Sequence, residues 1–530
     1  MPRNQARWAQ AVLALCLCAG VALLAGCAPG AGGTGGTGGT GGASGGAGGG
    51  ERAAHGGSLV VVVPQDPDGL DPHRTVAAAT FEIACSIYDT LVNVDAGGNL
   101  LPGLASSWKN SNDGLVWTFT LQPEVYFHNG RRMTAADVVY SFRRILDPAT
   151  AHPRAKDYEA IASVSAVDAG TVEFKLKEPR PAFLSNLAMG WSAVVPEEEA
   201  GNLRARPVGT GPFRFVEWVP NQHVKVARNE RYFMRGQPYL DAVTFRVIPD
   251  GPAQASNLKV GAVDVVPHLP GEFGSAVAVA QGCKLLRAPA NMVQIMAINN
   301  ARAPFNDPRV RQAISYAVDK RAVIDGAVWG YGTVIGSHMP PVSPYYVDLS
   351  GRYRLDPQRA LSLLAEAGLA GGFAAVLSLP APYDMHCRAG EVIAEQLGRV
   401  GISIRLEKVE WGAWLEDVYF GRKYDLTVIA QAGRLDPDPF LNRYVSTSEE
   451  NYMNYANPEY DCLVARAAVM TGAAERKAAY AHLQEMLADD AAALYIQAPD
   501  DLVGLRNDVQ GFAILPIDIL DLREVYRGKK

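Results

Sequence analysis

Cysteine is scarce in this chain. There are seven in 530 residues, and no two are spaced C-x-x-C. Cys85, Cys283, Cys387 and Cys462 lie far apart, which excludes a disulfide framework and a zinc site. Buried free thiols are expected for these four, with one long-range disulfide as the alternative. Catalytic signatures are missing too: there is no H-E-x-x-H, no G-x-S-x-G and no Walker A loop. The nine histidines are dispersed. His482 and Glu485 share one helix face and read as solvated. Gly330-Tyr331-Gly332 with Gly336 has the wrong spacing for a dinucleotide loop and reads as a helix stop. These absences lean against an enzyme, although a triad assembles in space rather than in sequence. No metal or cofactor is expected. The net charge of -6 carries no basic footprint for nucleic acid. No apolar run reaches the roughly 20 residues of a membrane-spanning helix.

The longest uncharged, mostly apolar stretch, Ala11 to Gly26, follows Arg3 and Arg7 and has the length and flanks of a secretory signal core. It ends in Leu24-Ala25-Gly26-Cys27, which resembles the bacterial lipobox. The resemblance implies a signal peptide over residues 1–26 and a diacylglycerol on the Cys27 sulfur. Removal of Arg3 and Arg7 would take the charge from -6 to -8. An acidic surface does not dock on anionic lipid, so the anchor would be acyl chains, of which more than one is needed. Fourteen of the 53 glycines fall between Gly30 and Gly50, and Gly-Gly-Thr occurs three times from Gly32 to Thr40. Nothing there can bury apolar area, so residues 27–57 read as a lipidated cysteine and a flexible tether. Its end-to-end distance would be roughly 25 Å.

The remaining body reads as α/β and is long enough for two or three domains. Ser58 to Val63 is a continuous apolar run, expected for a strand buried on both faces. Trp117, Phe119 and Leu121 alternate, as do Val172, Phe174 and Leu176, and then Val243, Phe245 and Val247. Thr134 to Asp137 forms a capping box ahead of Val138, Phe142, Ile145 and Leu146 at helical spacing. Asp307-Pro308 and Asp356-Pro357 open two further helices, and Gly368 closes the second. Ile402, Ile404 and Leu406 predict a strand, and so does Tyr424 to Ala430. A last helix is expected over about Glu475 to Asp489, followed by a short strand, Leu494 to Gln497.

Several segments together resemble the family 5 solute-binding proteins of bacterial ABC importers. They are Leu70-Asp71-Pro72, Tyr88-Asp89-Thr90-Leu91, Pro102 to Trp108, Asp113 to Phe119 and Val125 to Gly130. Thr134 to Phe142, Val208 to Phe213, Asn306 to Ala313 and Asp436-Pro437-Asp438 continue the series. The resemblance covers Ser58 to Phe512. It implies a two-lobed periplasmic-binding-protein-like fold (type II, cluster C). Lobe I would hold residues 58–292, with an inserted subdomain over about 91–206, and lobe II residues 293–497. Residues 498–530 would return to lobe I, and strands near Val293 to Asn299 and Leu494 to Gln497 would form the hinge. The implied function is capture of a peptide or peptide-like small solute by hinge closure. A monomer tethered outside the cytoplasm, on the extracellular face or in the periplasm, would deliver that solute to an ABC permease and ATPase.

Dipeptide-binding members hold the ligand amine with an aspartate and its carboxylate with an arginine. Here Gly433 stands at the first position and Ala381 at the second. The loop Gly433-Arg434-Leu435-Asp436-Pro437-Asp438 instead resembles a subgroup that includes glutathione-binding relatives. Arg434 is a candidate for a ligand carboxylate and Asp436 for a ligand contact, although an aspartate before proline is first a turn former. Of Trp411 and Trp414, one is expected in the core and the other on the cleft wall. Tyr383 and Phe81 complete the candidate pocket. A surface hydrolase and a receptor with a signalling partner remain as rival readings.

Overall fold

The computed structural model describes residues 55–75, 77–517 and 519–528. The signal segment, Cys27 and the glycine-rich stretch lie outside the described residues. The fold is two-lobed and α/β, built on one long run of paired strands. In sheet order these are Ile402–Val409, Phe373–Pro380, Leu426–Ala432, Met292–Ile298, Ala493–Arg506, Val265–Val266, Ser58–Val63, Ala242–Val247, His223–Arg228 and Phe213–Val219. Ser58–Val63 pairs in parallel with Ala242–Val247 and with Val265–Val266. Its interior position explains its unbroken run of valines.

The strand Ala493–Arg506 joins the halves. Its first part pairs antiparallel with Met292–Ile298, from Ala297 opposite Ala493 to Gln294 opposite Gln497. Its second part pairs with Cys283–Pro289, from Pro289 opposite Asp500 to Cys283 opposite Arg506. The sequence places a short strand at Leu494 to Gln497; the structure continues it to Arg506. The reason is that both lobes supply it with a partner along its length, so no backbone group needs a turn to satisfy it. Two strands therefore cross side by side between the lobes.

The second-lobe sheet carries apolar cores on both faces. On one, the helices Pro308–Ala317, Lys320–Val328, Pro357–Glu366 and Asp384–Gly398 bury Val310, Ile314, Leu363 and Ile393 against Leu377 and Val428. On the other, Pro458–Val469 and Ala473–Asp489 enclose a tyrosine-rich core that includes Tyr444, Tyr452, Tyr460 and Tyr480. Asp307 and Asp356 cap their helices by accepting the backbone N–H of Arg309 and Arg359, each at 2.9 Å. After Lys320–Val328 the chain turns through Trp329 (φ 54°) and Gly330 (φ 80°), so the residue that ends the helix is the tryptophan.

The inserted subdomain is a four-stranded antiparallel sheet in the order Ala105–Asn110, Val116–Leu121, Thr171–Leu176, Ile161–Asp168. Helix Ala135–Leu146 covers it, with the Thr134–Asp137 capping box formed. Phe119, Phe142, Phe174 and Phe183 interlock as the buried core of this unit. The C-terminal segment packs Leu520, Leu522 and Val525 into the first-lobe core. Cys85, Cys283, Cys387 and Cys462 are all free thiols, but only Cys283 and Cys387 are buried as expected; Cys85 is half-buried, and Cys462 is exposed on the helix Pro458–Val469. Among the described residues no helix is long and apolar enough to cross a membrane.

Candidate functional site

The predicted residues fall into two clusters, one within the second lobe and one between the lobes, and a further predicted residue lies apart. The first cluster belongs to the second lobe. Strand Phe373–Pro380 ends at the Ala381-Pro382-Tyr383 turn, whose Ala381 N–H donates to Val409 O at 2.8 Å. That bond holds the turn beside the chain that enters Trp411. Tyr383 meets Trp411 edge to face at 5.1 Å, and Trp411 stacks on Trp414 at 5.0 Å with planes 7° apart. Trp414 is buried and donates its indole N–H to Thr427 Oγ1 at 3.0 Å. Trp411 is half-buried, and its Nε1–H has no hydrogen-bond partner.

The second cluster bridges the lobes. Arg434, on the loop after strand Leu426–Ala432, donates from Nη1 to Asp157 Oδ2 at 3.1 Å. Asp157 belongs to the inserted subdomain, in the short helical turn Ala155–Tyr158. The Arg434 guanidinium lies 5.0 Å from the Trp191 ring centre, and that of Arg154 lies 5.6 Å from the same ring. Trp191 in turn meets Phe81 at 5.7 Å in a tilted, edge-like contact. Gly190 lets this happen, since a Cβ there would stand 2.9 Å from the Phe81 ring. Phe81 itself is buried in the first-lobe core, behind Trp191. The residue presented to Arg434 is therefore Trp191, which no sequence pattern marked. Its side chain also hydrogen-bonds Tyr158.

Asp436 sits apart from both clusters. It pairs with Arg476 at 2.8 Å, with only 7% and 3% of the two side chains exposed. Its Oδ1 also accepts the Asp438 N–H at 3.0 Å. Arg476 donates further to Tyr345 Oη and to Ala467 O, so the pair pins the loop into the tyrosine-rich core. Asp438 accepts from Tyr480 Oη at 3.1 Å, and burial together with the neighbouring Asp436 charge pushes its carboxyl above the ordinary range. Gly433 has no room for a side chain, because a Cβ there would overlap the Phe440 ring and Asn291 Oδ1. An aspartate in this position is sterically excluded by the surrounding packing.

Other polar groups at the lobe junction are left unpaired. Asn291, between the two hinge pairings, donates from Nδ2 to Pro516 O, but its Oδ1 is buried and has no donor. Gln497 Oε1 is in the same position on the long strand. Both carboxylate oxygens of Glu272, on the first-lobe helix Gly271–Ala278, are shielded without a hydrogen bond. Burial raises the Glu272 pKa, opposed by Arg388 and reinforced by Asp384, both from the second lobe. Native proteins pair nearly all buried polar groups, and each exception calls for an explanation. Among the described residues no group of three or more His, Cys, Asp or Glu could hold a metal ion.

Comparison with known proteins places these features in a family. A family model described as "Bacterial extracellular solute-binding proteins, family 5 Middle" matches residues 99–452. The Escherichia coli K12 "Dipeptide-binding protein" is 27% identical over 496 residues, which cover 87% of this chain and 92% of that protein. "Heme-binding protein A" of Haemophilus influenzae is 28% identical over 507 residues, covering 88% and 91%. Among solved structures, the ABC transporter-associated periplasmic binding protein DppA from Helicobacter pylori, in complex with the peptide STSA, superposes with a TM-score of 0.73. It is 27% identical and the match covers 90% of this chain and 99% of that one.

Proposed function

The chain belongs to the bacterial extracellular solute-binding proteins, family 5, and from that premise we propose that it captures a peptide or peptide-like solute between its lobes for an ABC importer. Family members are binding components of transporters rather than catalysts. We read residues 58–292 and 498–530 as the first lobe, 91–206 as its inserted subdomain and 293–497 as the second. Two antiparallel strands crossing together support a hinge about which the lobes close, and a solute that touches both lobes favours the closed state.

The observation that carries this reading is the Arg434–Asp157 contact between the lobes, together with polar atoms on the hinge strands and their flanking turns that have no partner: Trp411 Nε1, Asn291 Oδ1 and Gln497 Oε1. A peptide supplies both acceptors and donors along its backbone, and apolar groups for the Tyr383 and Trp411 faces. Arg434 offers a guanidinium for a carboxylate. Asp436 contributes by holding the loop rather than by touching the solute. The monomer would hang from a diacylglycerol on Cys27, on the outer side of the cytoplasmic membrane.

Thermal unfolding measured against di- and tripeptides, glutathione and heme tests this function. A binding solute should raise the melting temperature with its concentration, by mass action. Native mass spectrometry of freshly purified protein should show a retained peptide-like mass. If no member of the panel shifts unfolding and only heme is retained, the peptide reading fails. For the anchor, metabolic labelling with an alkyne fatty acid should mark the wild-type chain, and Cys27→Ala should abolish the label; persistent labelling refutes that assignment.

A further inference from the structure

Arg434 and Asp157 form an ion pair that is oddly incomplete. A guanidinium facing a carboxylate usually offers a two-pronged fork. Here only Nη1 donates to Asp157, through a single 3.1 Å contact, and no other hydrogen bond of the Arg434 side chain is made among the described residues. The two side chains are 19% and 25% exposed, so water reaches both. Compare Arg144 with Asp71, where both nitrogens engage both oxygens at 3.0 and 2.5 Å and exposure is 8% and 5%. That pair is built as structure. The Arg434 pair is built to be exchanged: partly exposed ion pairs are worth about 0–1 kcal/mol, little enough for another carboxylate to replace.

The surroundings favour such a replacement. Trp191 provides a flat apolar face under the guanidinium. Arg154 adds a second positive charge beside the same ring. Asp157 also reaches Arg434 from the opposite lobe.

We propose that Asp157 is a built-in placeholder for a carboxylate of the solute, holding Arg434 until an incoming carboxylate displaces it. This rests on the reading of the chain as a solute-binding protein and narrows the solute to one whose carboxylate lies over Trp191. The carboxylate would take the free prongs of Arg434. Asp157 thus sets specificity by competition: an uncharged group cannot evict it, whereas a second carboxylate with better geometry can.

The test uses the full chain with trialanine and its C-terminal amide, titrated by calorimetry into wild type, Asp157→Asn and Arg434→Gln. Wild type should bind the acid at least tenfold more tightly than the amide. Asp157→Asn should tighten the acid by roughly three- to tenfold and leave the amide within twofold. Arg434→Gln should erase the difference between acid and amide. Weaker acid binding in Asp157→Asn, or equal binding of acid and amide by wild type, overturns the placeholder. If wild type binds neither form, the peptide reading fails by itself. Sodium succinate, followed by tryptophan fluorescence, then decides the placeholder. It must bind more tightly to Asp157→Asn than to wild type and not at all to Arg434→Gln, and any other order overturns the proposal.

Discussion

Asp436 shows how a residue that a motif offers to the solute can serve the scaffold instead. Asp436 was a candidate ligand contact by sequence, yet its carboxylate is occupied by Arg476 and both side chains are almost wholly buried. Removing one partner of a buried pair strands the other charge, which costs about 3–5 kcal/mol. Asp436→Ala should therefore lower the unfolding free energy by roughly that amount in urea titrations, with no specific effect on solute affinity in the fraction that remains folded. Unchanged stability with weakened binding would move Asp436 back to the solute. The Asp-Pro-Asp segment was legible as a motif, but Arg476 lies 40 residues onward on another helix, and no local pattern announces such a pairing. Gly433 carries the same lesson. Its departure from the dipeptide-binding pattern is plain in the sequence, whereas the reason, an overlap with Phe440 and Asn291, exists only once three distant segments are packed together.

At the scale of elements, the sequence was legible where side-chain period and caps act locally. The helices Ala135–Leu146, Pro308–Ala317 and Pro357–Glu366 begin where their Thr or Asp caps announced them. The strand Leu426–Ala432 begins two residues after the expected Tyr424, because Tyr424 leaves the ladder and donates its hydroxyl to Tyr452 O. The extent of Ala493–Arg506 was not legible, since its second half alternates poorly and contains Pro499, Asp500 and Asp501. It is a strand because Cys283–Pro289 pairs with it, a contact more than two hundred residues distant in sequence. The hinge polar network follows the same logic. Ala430 N–H donates to His386 Nε2 at 3.3 Å, and the Gln294 amide nitrogen lies 3.0 Å from His386 Nδ1. Gln294 and Gln497 then pair across the two crossing strands. Amides can exchange such bonds with modest loss, which suits a segment that bends.

At the scale of the whole molecule, buried histidines tie stability to pH. His73 and His386 are pushed down to about 3, and His128 and His152 to about 4, in each case first by burial. His73 and His152 also lie 5.7 Å apart, so a proton on one opposes a proton on the other. In the unfolded chain these rings take up protons near pH 6.5. The folded chain keeps them neutral until pH 4 or below, so between those limits the unfolded state binds more protons. Stability is therefore complete above about pH 7 and is lost as pH falls from 6.5 towards 4, at about 1.4 kcal/mol per pH unit for each shielded ring. Asp71 acts in the same direction lower down, since Arg144 outweighs burial and holds its carboxyl below the ordinary value. Asp89 and Asp438, raised by burial, act in the opposite direction at the acid end. Four histidines outweigh them through the middle of the window. Urea unfolding at pH 7.5, 6.5, 5.5 and 4.5 should give a falling series of midpoints, steepest between the last three. A flat series would mean that these rings are hydrated in the folded protein, and with that the buried network around His73, His152 and Asp71 would have to be redrawn.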